Sequence, residues 1–175
     1  MITPILETRR ILLRPLAVSD AETMYQNWLT DPEVAKFMRW NVYTSVDEAI
    51  TWLTGVESNT ASETHYDWGF VYRESNELFG SGGIVYNEKH DMLELGYCMM
   101  KQYWGLGLAT EASRAMLDFA IDTLHETRFF VCHAKENPAS GRVIEKLGFV
   151  YQRDGVDTSF DGKRTFETRE YLLVV

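Results

Sequence analysis

Only two cysteines occur in the 175 residues, Cys98 and Cys132. Each sits inside an apolar, strand-like run, so reduced core thiols are expected rather than a disulfide framework. The four histidines, His65, His90, His125 and His133, follow neither the spacing of a metal centre nor that of a catalytic triad; each reads as a surface or strand residue, and no metal is expected. Long apolar runs are missing as well, since no stretch approaches the roughly 20 residues of a membrane span. The opening MITPILETRR lacks the basic segment and apolar run of a signal peptide, so a cytoplasmic protein is expected. Basic residues are in deficit, 17 Lys and Arg against 26 Asp and Glu for a formal net charge of −9. That balance argues against nucleic acid or an anionic membrane surface as partner, because phosphate backbones demand a basic face. A cationic partner would suit it better, the alternative being acidity that only keeps the protein soluble. No internal repeat, low-complexity tract or linker breaks the chain, which reads as one domain over residues 1–175.

What is present is periodic. Residues 5–15, ILETRRILLRP, read as one opening strand. Ser19-Asp20-Ala21-Glu22 reads as a capping box before the helical set Ala21, Met24, Tyr25, Trp28 and Leu29. Asp31-Pro32 offers a second helix start, and Ser45 with Glu48 a further capping box ahead of Ala49, Ile50, Leu53 and Val56. From about residue 66 the period shortens to that of strands: WGFVYR, LFGSGGIVYN and MLELGYCMM, separated by ESNE and EKHD, fit an antiparallel meander. A helix from about 106 to 123 carries Ala109, Ala112, Met116 and Phe119 on one face and Glu111, Arg114, Asp118 and Asp122 on the other. A strand in RFFVCHA, a short helix from Asn137-Pro138 to Gly148, and strands around FVYQR and TFETREYLLVV complete the chain, with Asp154 to Lys163 as the turn between the last two. Helices in front of a mostly antiparallel sheet make an α+β domain.

The run Gln102-Tyr103-Trp104-Gly105-Leu106-Gly107-Leu108-Ala109-Thr110 joins the end of a central strand to the start of the amphipathic helix. A helix start leaves backbone N–H groups unpaired and carries about half a positive charge, while glycines let that backbone approach an anion such as a diphosphate. The plainer reading is an ordinary strand-to-helix turn. A P-loop would need Gly-Lys-Ser/Thr, and a dinucleotide fingerprint a third glycine in parallel βαβ units; neither is present.

Gln102, Gly105 and Gly107 meet the Gln/Arg-x-x-Gly-x-Gly/Ala signature of the GNAT N-acetyltransferases, which this sequence resembles. Glu136-Asn137-Pro138-Ala139-Ser140 followed by Val143-Ile144-Glu145-Lys146-Leu147-Gly148-Phe149 looks like that family's Asn-x-x-Ala/Ser through Glu-Lys-Leu-Gly-Phe segment. ETRRILLRPL, the Trp40 region, LELGY and the ending resemble the branch that includes ribosomal-protein N-terminal acetyltransferases. The resemblance implies a GNAT fold: a mostly antiparallel mixed sheet of about seven strands, splayed in the middle and flanked by about four helices. It implies acetyl-CoA as cosubstrate and, as acceptor, a protein N-terminal amine or an amine-bearing small molecule. A monomer or a homodimer is expected.

By the same resemblance, the backbone of Cys98, Met99 and Met100 would hold the pantetheine arm like an added strand. Gln102 and the backbone of Gly105, Leu106, Gly107, Leu108, Ala109 and Thr110 would take the diphosphate, and Asn137 would contact the arm. An amine protonated at neutral pH must lose a proton before it attacks a thioester, and Glu94 is the carboxylate available as base; a structural ion pair is its alternative role. The tyrosine that many family members use to protonate the leaving thiolate is replaced here by Ile144. The ribosomal-protein branch is thought to use a serine at the position of Ser140, which is assigned as donor, with helix capping as its alternative role. Cys98 has no neighbouring cation or base that would make it an acyl carrier. Arg39, Trp40 and Tyr43 are expected to line the acceptor pocket. A silent acetyl-CoA sensor and a transferase for a longer acyl-CoA remain alternatives, the first because of Ile144.

Overall fold

The structure, a computed structural model, describes residues 2–59 and 62–175. Two short strands open the chain, β1 (Leu6–Glu7) and β2 (Ile11–Pro15), followed by α1 (Ala21–Met24), which runs on into a π-helical turn over Tyr25–Leu29, then α2 (Pro32–Ala35) and α3 (Val46–Ser58). A meander of β3 (His65–Tyr72), β4 (Glu77–Asn87) and β5 (Met92–Met99) leads through α4 (Leu108–Asp122) to β6 (Arg128–Ala134). Helix α5 (Pro138–Lys146) and strands β7 (Val150–Thr158) and β8 (Thr165–Val174) close it. The eight strands form one sheet in the order β1-β2-β3-β4-β5-β6-β8-β7. Every neighbouring pair is antiparallel except β5 and β6, which are parallel. A parallel pair cannot be joined by a hairpin, and α4 is the crossover that this pairing demands.

Each face of the sheet is covered by its own apolar layer. On one, Trp68, Phe70, Phe79, Ile84, Leu95 and Phe129 pack against Leu108, Ala112, Met116 and Phe119 of α4 and Ile144 of α5. On the other, Leu16, Val71 and Leu78 meet Ala21, Met24, Trp28 and Leu29 of the first helical segment and Ala49 and Leu53 of α3. No helix among the described residues is long and apolar enough to cross a membrane.

Three local expectations need correction. The opening strand is broken in two. The Thr8 N–H donates to the Ile11 carbonyl at 2.9 Å and the Ile11 N–H to Thr8 Oγ1 at 2.9 Å, closing a tight turn that makes β1 an extra edge strand and raises the sheet from about seven strands to eight. Ser19 does not cap α1: a 3-10 turn over Val18–Asp20 precedes it, and Asp20 accepts from the Ala17 N–H at 2.9 Å while pairing with Arg14. The final turn is shorter than Asp154 to Lys163, because the β7–β8 ladder continues to Thr158 opposite Thr165. The other two helix starts form as read. Asp31 accepts from the Glu33 N–H at 2.8 Å, and Glu48 reaches back to the Ser45 N–H at 3.2 Å.

The turn between β7 and β8 is tied to the front of the molecule by the Phe160 N–H, which donates to the Arg39 carbonyl at 2.8 Å, by Asn41, which donates to Asp161 at 2.8 Å, and most extensively by Arg164. Arg164 donates to the carbonyls of Ala35, Lys36, Met38 and Trp40 at 2.7–3.3 Å, and its guanidinium lies over the Phe166 ring. These four acceptors span the loop that carries Arg39 and Trp40. Arg164→Met, which keeps the stem but removes the donors, should destabilise the protein by about 2 kcal/mol, a fall of roughly 4–8 °C in thermal midpoint. A midpoint unchanged in a thermal scan would mean that the loop is held by its other contacts, the Phe160–Arg39 and Asn41–Asp161 hydrogen bonds included.

Candidate active site

The ladder between β5 and β6 holds at two positions, Leu93 opposite Phe129 and Glu94 opposite Phe130, and then stops. Strand β5 continues against β4 as far as Met99 opposite Gly80, and β6 continues against β8 as far as Ala134 opposite Thr168. The two strands therefore part, leaving the β6-facing backbone of Leu95 to Met99 without a strand partner. Such an edge is a template for an extended arm whose amides can complete the ladder. A cavity of about 780 Å³ opens beside the gap, with Arg39, Trp40, Asp67, Glu94, Tyr97 and Ser140 among its lining residues.

At the far end of β5 a 3-10 turn over Lys101–Tyr103 delivers the chain to Gly105 and Gly107, both at positive φ (75° and 77°). Gly107 is the N-cap of α4, and an L side chain there would be strained. The N–H groups of Leu108, Ala109 and Thr110, in the first turn of α4, lie too early in the helix to find an intrahelical acceptor. Arg10, which the sequence reading passed over, braces this loop. It donates to the Leu106 carbonyl at 3.0 Å and pairs with Glu111 at 2.7 Å, while the Thr8 hydroxyl donates to the same carboxylate. Gln102 is turned away, toward Glu77.

Helix α5 brings the next groups. Asn137 caps it by accepting from the Ser140 N–H at 3.3 Å. The helix can lie close to β6 because residue 141 is glycine: a Cβ there would stand 2.9 Å from His133 Nε2. Ser140 Oγ is 3.0 Å from Tyr97 Oη, a contact that spans the gap from α5 to β5. Burial raises the Tyr97 phenol above its ordinary value, so it stays protonated. Strand alternation puts Tyr97 on the face opposite Glu94, and only the approach of α5 from that side brings it to Ser140; no spacing in the sequence signals this pair.

Glu94 lies at the last paired position of β5, where the gap begins. Asn87 donates to Glu94 Oε2 at 2.6 Å. Burial pushes the Glu94 carboxyl above the usual carboxylate range, against that hydrogen bond and the charge of Arg39. Arg39 itself pairs with Asp157 at 3.4 Å. Trp40 lines the cavity, whereas Tyr43 does not: its ring stands edge-on behind Trp40 at 5.9 Å, among the apolar residues of the helical layer. Cys98 lines the cavity, Met99 is turned into the core, and Met100 packs between both apolar clusters. The thiols stay neutral, since burial raises Cys98 and pushes Cys132 up to about 12. Among the described residues no His, Cys, Asp and Glu side chains converge to hold a metal ion.

Comparison with known proteins agrees with this geometry. Residues 10–150 match the family model described as "Acetyltransferase (GNAT) domain". A curated relative from Bacillus subtilis (strain 168), named as the uncharacterised N-acetyltransferase YoaA, is 28% identical over 174 residues, covering 98% of this chain and 97% of its own. Two solved structures share the fold. The ribosomal L7/L12 alpha-N-protein acetyltransferase RimL, in complex with coenzyme A, has a TM-score of 0.84 at 16% identity over 98% of both chains. The microcin C7 self-immunity acetyltransferase MccE, in complex with acetyl-CoA and AMP, has a TM-score of 0.81 at 17% identity, over 96% of this chain and 94% of its own. The matched family domain, carried on a sheet that parts between β5 and β6, makes this chain a member of the GNAT acetyltransferases, and hence an acyltransferase.

Proposed function

We propose that the chain transfers the acetyl group of acetyl-CoA to a primary amine, a protein N-terminal amine or a small-molecule amine, by direct attack in a ternary complex. The observation that carries this reading is the unpaired β5 edge opening into one cavity that holds both a carboxylate of raised pKa and a hydrogen-bonded hydroxyl pair. The β5 backbone from Cys98 to Met100 would hold the pantetheine arm, Asn137 would touch it, and the N–H groups from Gly105 to Thr110 would hold the diphosphate. Acetyl-CoA supplies the activated acyl carbon. Everything else in the reaction falls to side chains and to alignment, which can supply about 7–11 kcal/mol.

Glu94 accepts a proton from the acceptor ammonium, directly or through a water. The freed nitrogen lone pair attacks the thioester carbonyl, a C–N bond forms, and the C–S bond breaks. Ser140 then gives its hydroxyl proton to the departing thiolate and draws one from Tyr97 across their 3.0 Å contact, while the acylated nitrogen sheds its second proton to solvent, from which Tyr97 is reprotonated. Arg39 and Trp40 would form the wall against which the acceptor is held, with Tyr43 supporting Trp40 from behind. The neutral, buried thiols of Cys98 and Cys132 favour direct transfer over an acyl-cysteine route.

Glu94→Gln should lower kcat/KM for amine acetylation by about 10²–10⁴-fold, with acetyl-CoA binding unchanged by calorimetry. Because burial raises the Glu94 pKa, the base is protonated and idle at low pH; kcat/KM should rise with pH through a group above the ordinary carboxylate range, and the variant should lose that limb. A limb that survives the substitution would remove Glu94 from the role.

Ser140→Ala should lower kcat more than it raises the amine KM, and Tyr97→Phe should do the same to a lesser degree. The double variant should be little worse than Ser140→Ala, since both act on one proton. Additive losses in steady-state kinetics would mean that Tyr97 acts apart from Ser140.

A further inference from the structure

Asp67 lies on β3 opposite Gly83 of β4, and Gly83 lies opposite Gly96 of β5. Alternation places Asp67, Gly83, Gly96 and Glu94 on the same face of the sheet, the face of the cavity that all four line. Between the two carboxylates lie these two glycines, with Val85, opposite Glu94, as the side chain beside them on that face. A Cβ on Gly83 would meet Asp67 Oδ1 at 2.7 Å, so the carboxylate leans over that glycine; a Cβ on Gly96 would meet nothing within 4 Å. From strand spacing and rise, Asp67 and Glu94 are about 12 Å apart at Cα, and the lean of Asp67 over Gly83 narrows that to the span of a short alkyl chain.

The other carboxylates set back in this cavity have partners. Glu94 accepts from Asn87 at 2.6 Å, Asp157 pairs with Arg39 at 3.4 Å, and Glu170 pairs with Arg153 at 2.7 Å. Among the described residues no hydrogen bond or ion pair reaches Asp67. Burial pushes it up to about 6, opposed only by the more distant charge of His65. A half-buried carboxylate with neither donor nor cation pays desolvation without return, which a ligand ammonium would offset.

Resting on the acetyl-transfer reading above, we infer that Asp67 determines acceptor specificity by binding a second cationic nitrogen: the acceptor is a short aliphatic diamine, one amine facing Glu94 and the thioester, the other ammonium held by Asp67 over the two glycines. The net charge of −9 fits a dicationic acceptor.

The test compares diaminopentane with pentylamine, equal in chain length and differing in the distal nitrogen, on wild type and Asp67→Asn. Wild type should acetylate the diamine with a kcat/KM about tenfold higher, mainly through KM. Asp67→Asn should erase that preference, bringing the diamine's kcat/KM down to that of pentylamine, and Asp67→Glu should restore part of it. Calorimetric titration of both amines into the protein with CoA reads the same difference without turnover. Selective diamine binding that Asp67→Asn removes, without thiol release from acetyl-CoA, would uphold Asp67 and overturn the transferase reading. A wild type that does not distinguish the two amines, or a preference that survives Asp67→Asn, would overturn the inference.

Discussion

The parting of β5 from β6 after two paired residues is the constraint on which the site depends. Had the parallel ladder continued, the β6-facing amides and carbonyls of Leu95 to Met99 would be spent on the sheet. Because it stops, they face a gap: the Trp104 indole N–H donates to the Met99 carbonyl at 2.9 Å, and water or an extended ligand must satisfy the others, since a buried backbone group left unpaired costs about 1–3 kcal/mol. The sheet stays whole around the gap through β5's ladder to β4 and β6's ladder to β8, each holding its strand on the far side. The site is thus a fault in an otherwise continuous sheet, fixed by its two flanks.

Three polar tethers bring the remaining groups to that fault. Arg10 and Glu111 fasten the opening hairpin to the glycine turn at the start of α4. Gly141 lets α5 approach His133, which carries Ser140 to Tyr97 across the gap. Arg164 binds four carbonyls of the loop bearing Arg39 and Trp40. Each tether joins segments far apart in the chain, so residues from the front helices, the meander and the last helix meet on one cavity.

Legibility in the sequence followed the range of the interaction. The meander, α4, α5 and the starts at Asp31 and Ser45 were readable because their causes are local: alternation, amphipathic period and caps. The division of the opening strand was not, because Thr8 and Arg10 owe their conformation partly to Glu111, about a hundred residues away. At the site, Glu94, Cys98, Asn137 and Ser140 all line the cavity, with Gly105 and Gly107 at positive φ on the loop beyond it. The signal for them was family resemblance joined to strand alternation. Tyr97 and Asp67 escaped, the first because alternation assigns it to the far face, the second because its meaning lies in the two glycines beside it on neighbouring strands. Tyr43 was expected in the pocket and stands behind Trp40 instead; an aromatic near a site in sequence does not reveal which layer it packs into.

The most direct measurement of the central claim is amide hydrogen exchange with and without acetyl-CoA. The account predicts new protection concentrated in the β6-facing β5 amides of Leu95, Tyr97 and Met99 and in the turn from Gly105 to Thr110, with the β3 and β8 amides unchanged. Binding that leaves the β5 edge exchanging as before would contradict the view that the parted strand is where the cosubstrate completes the sheet.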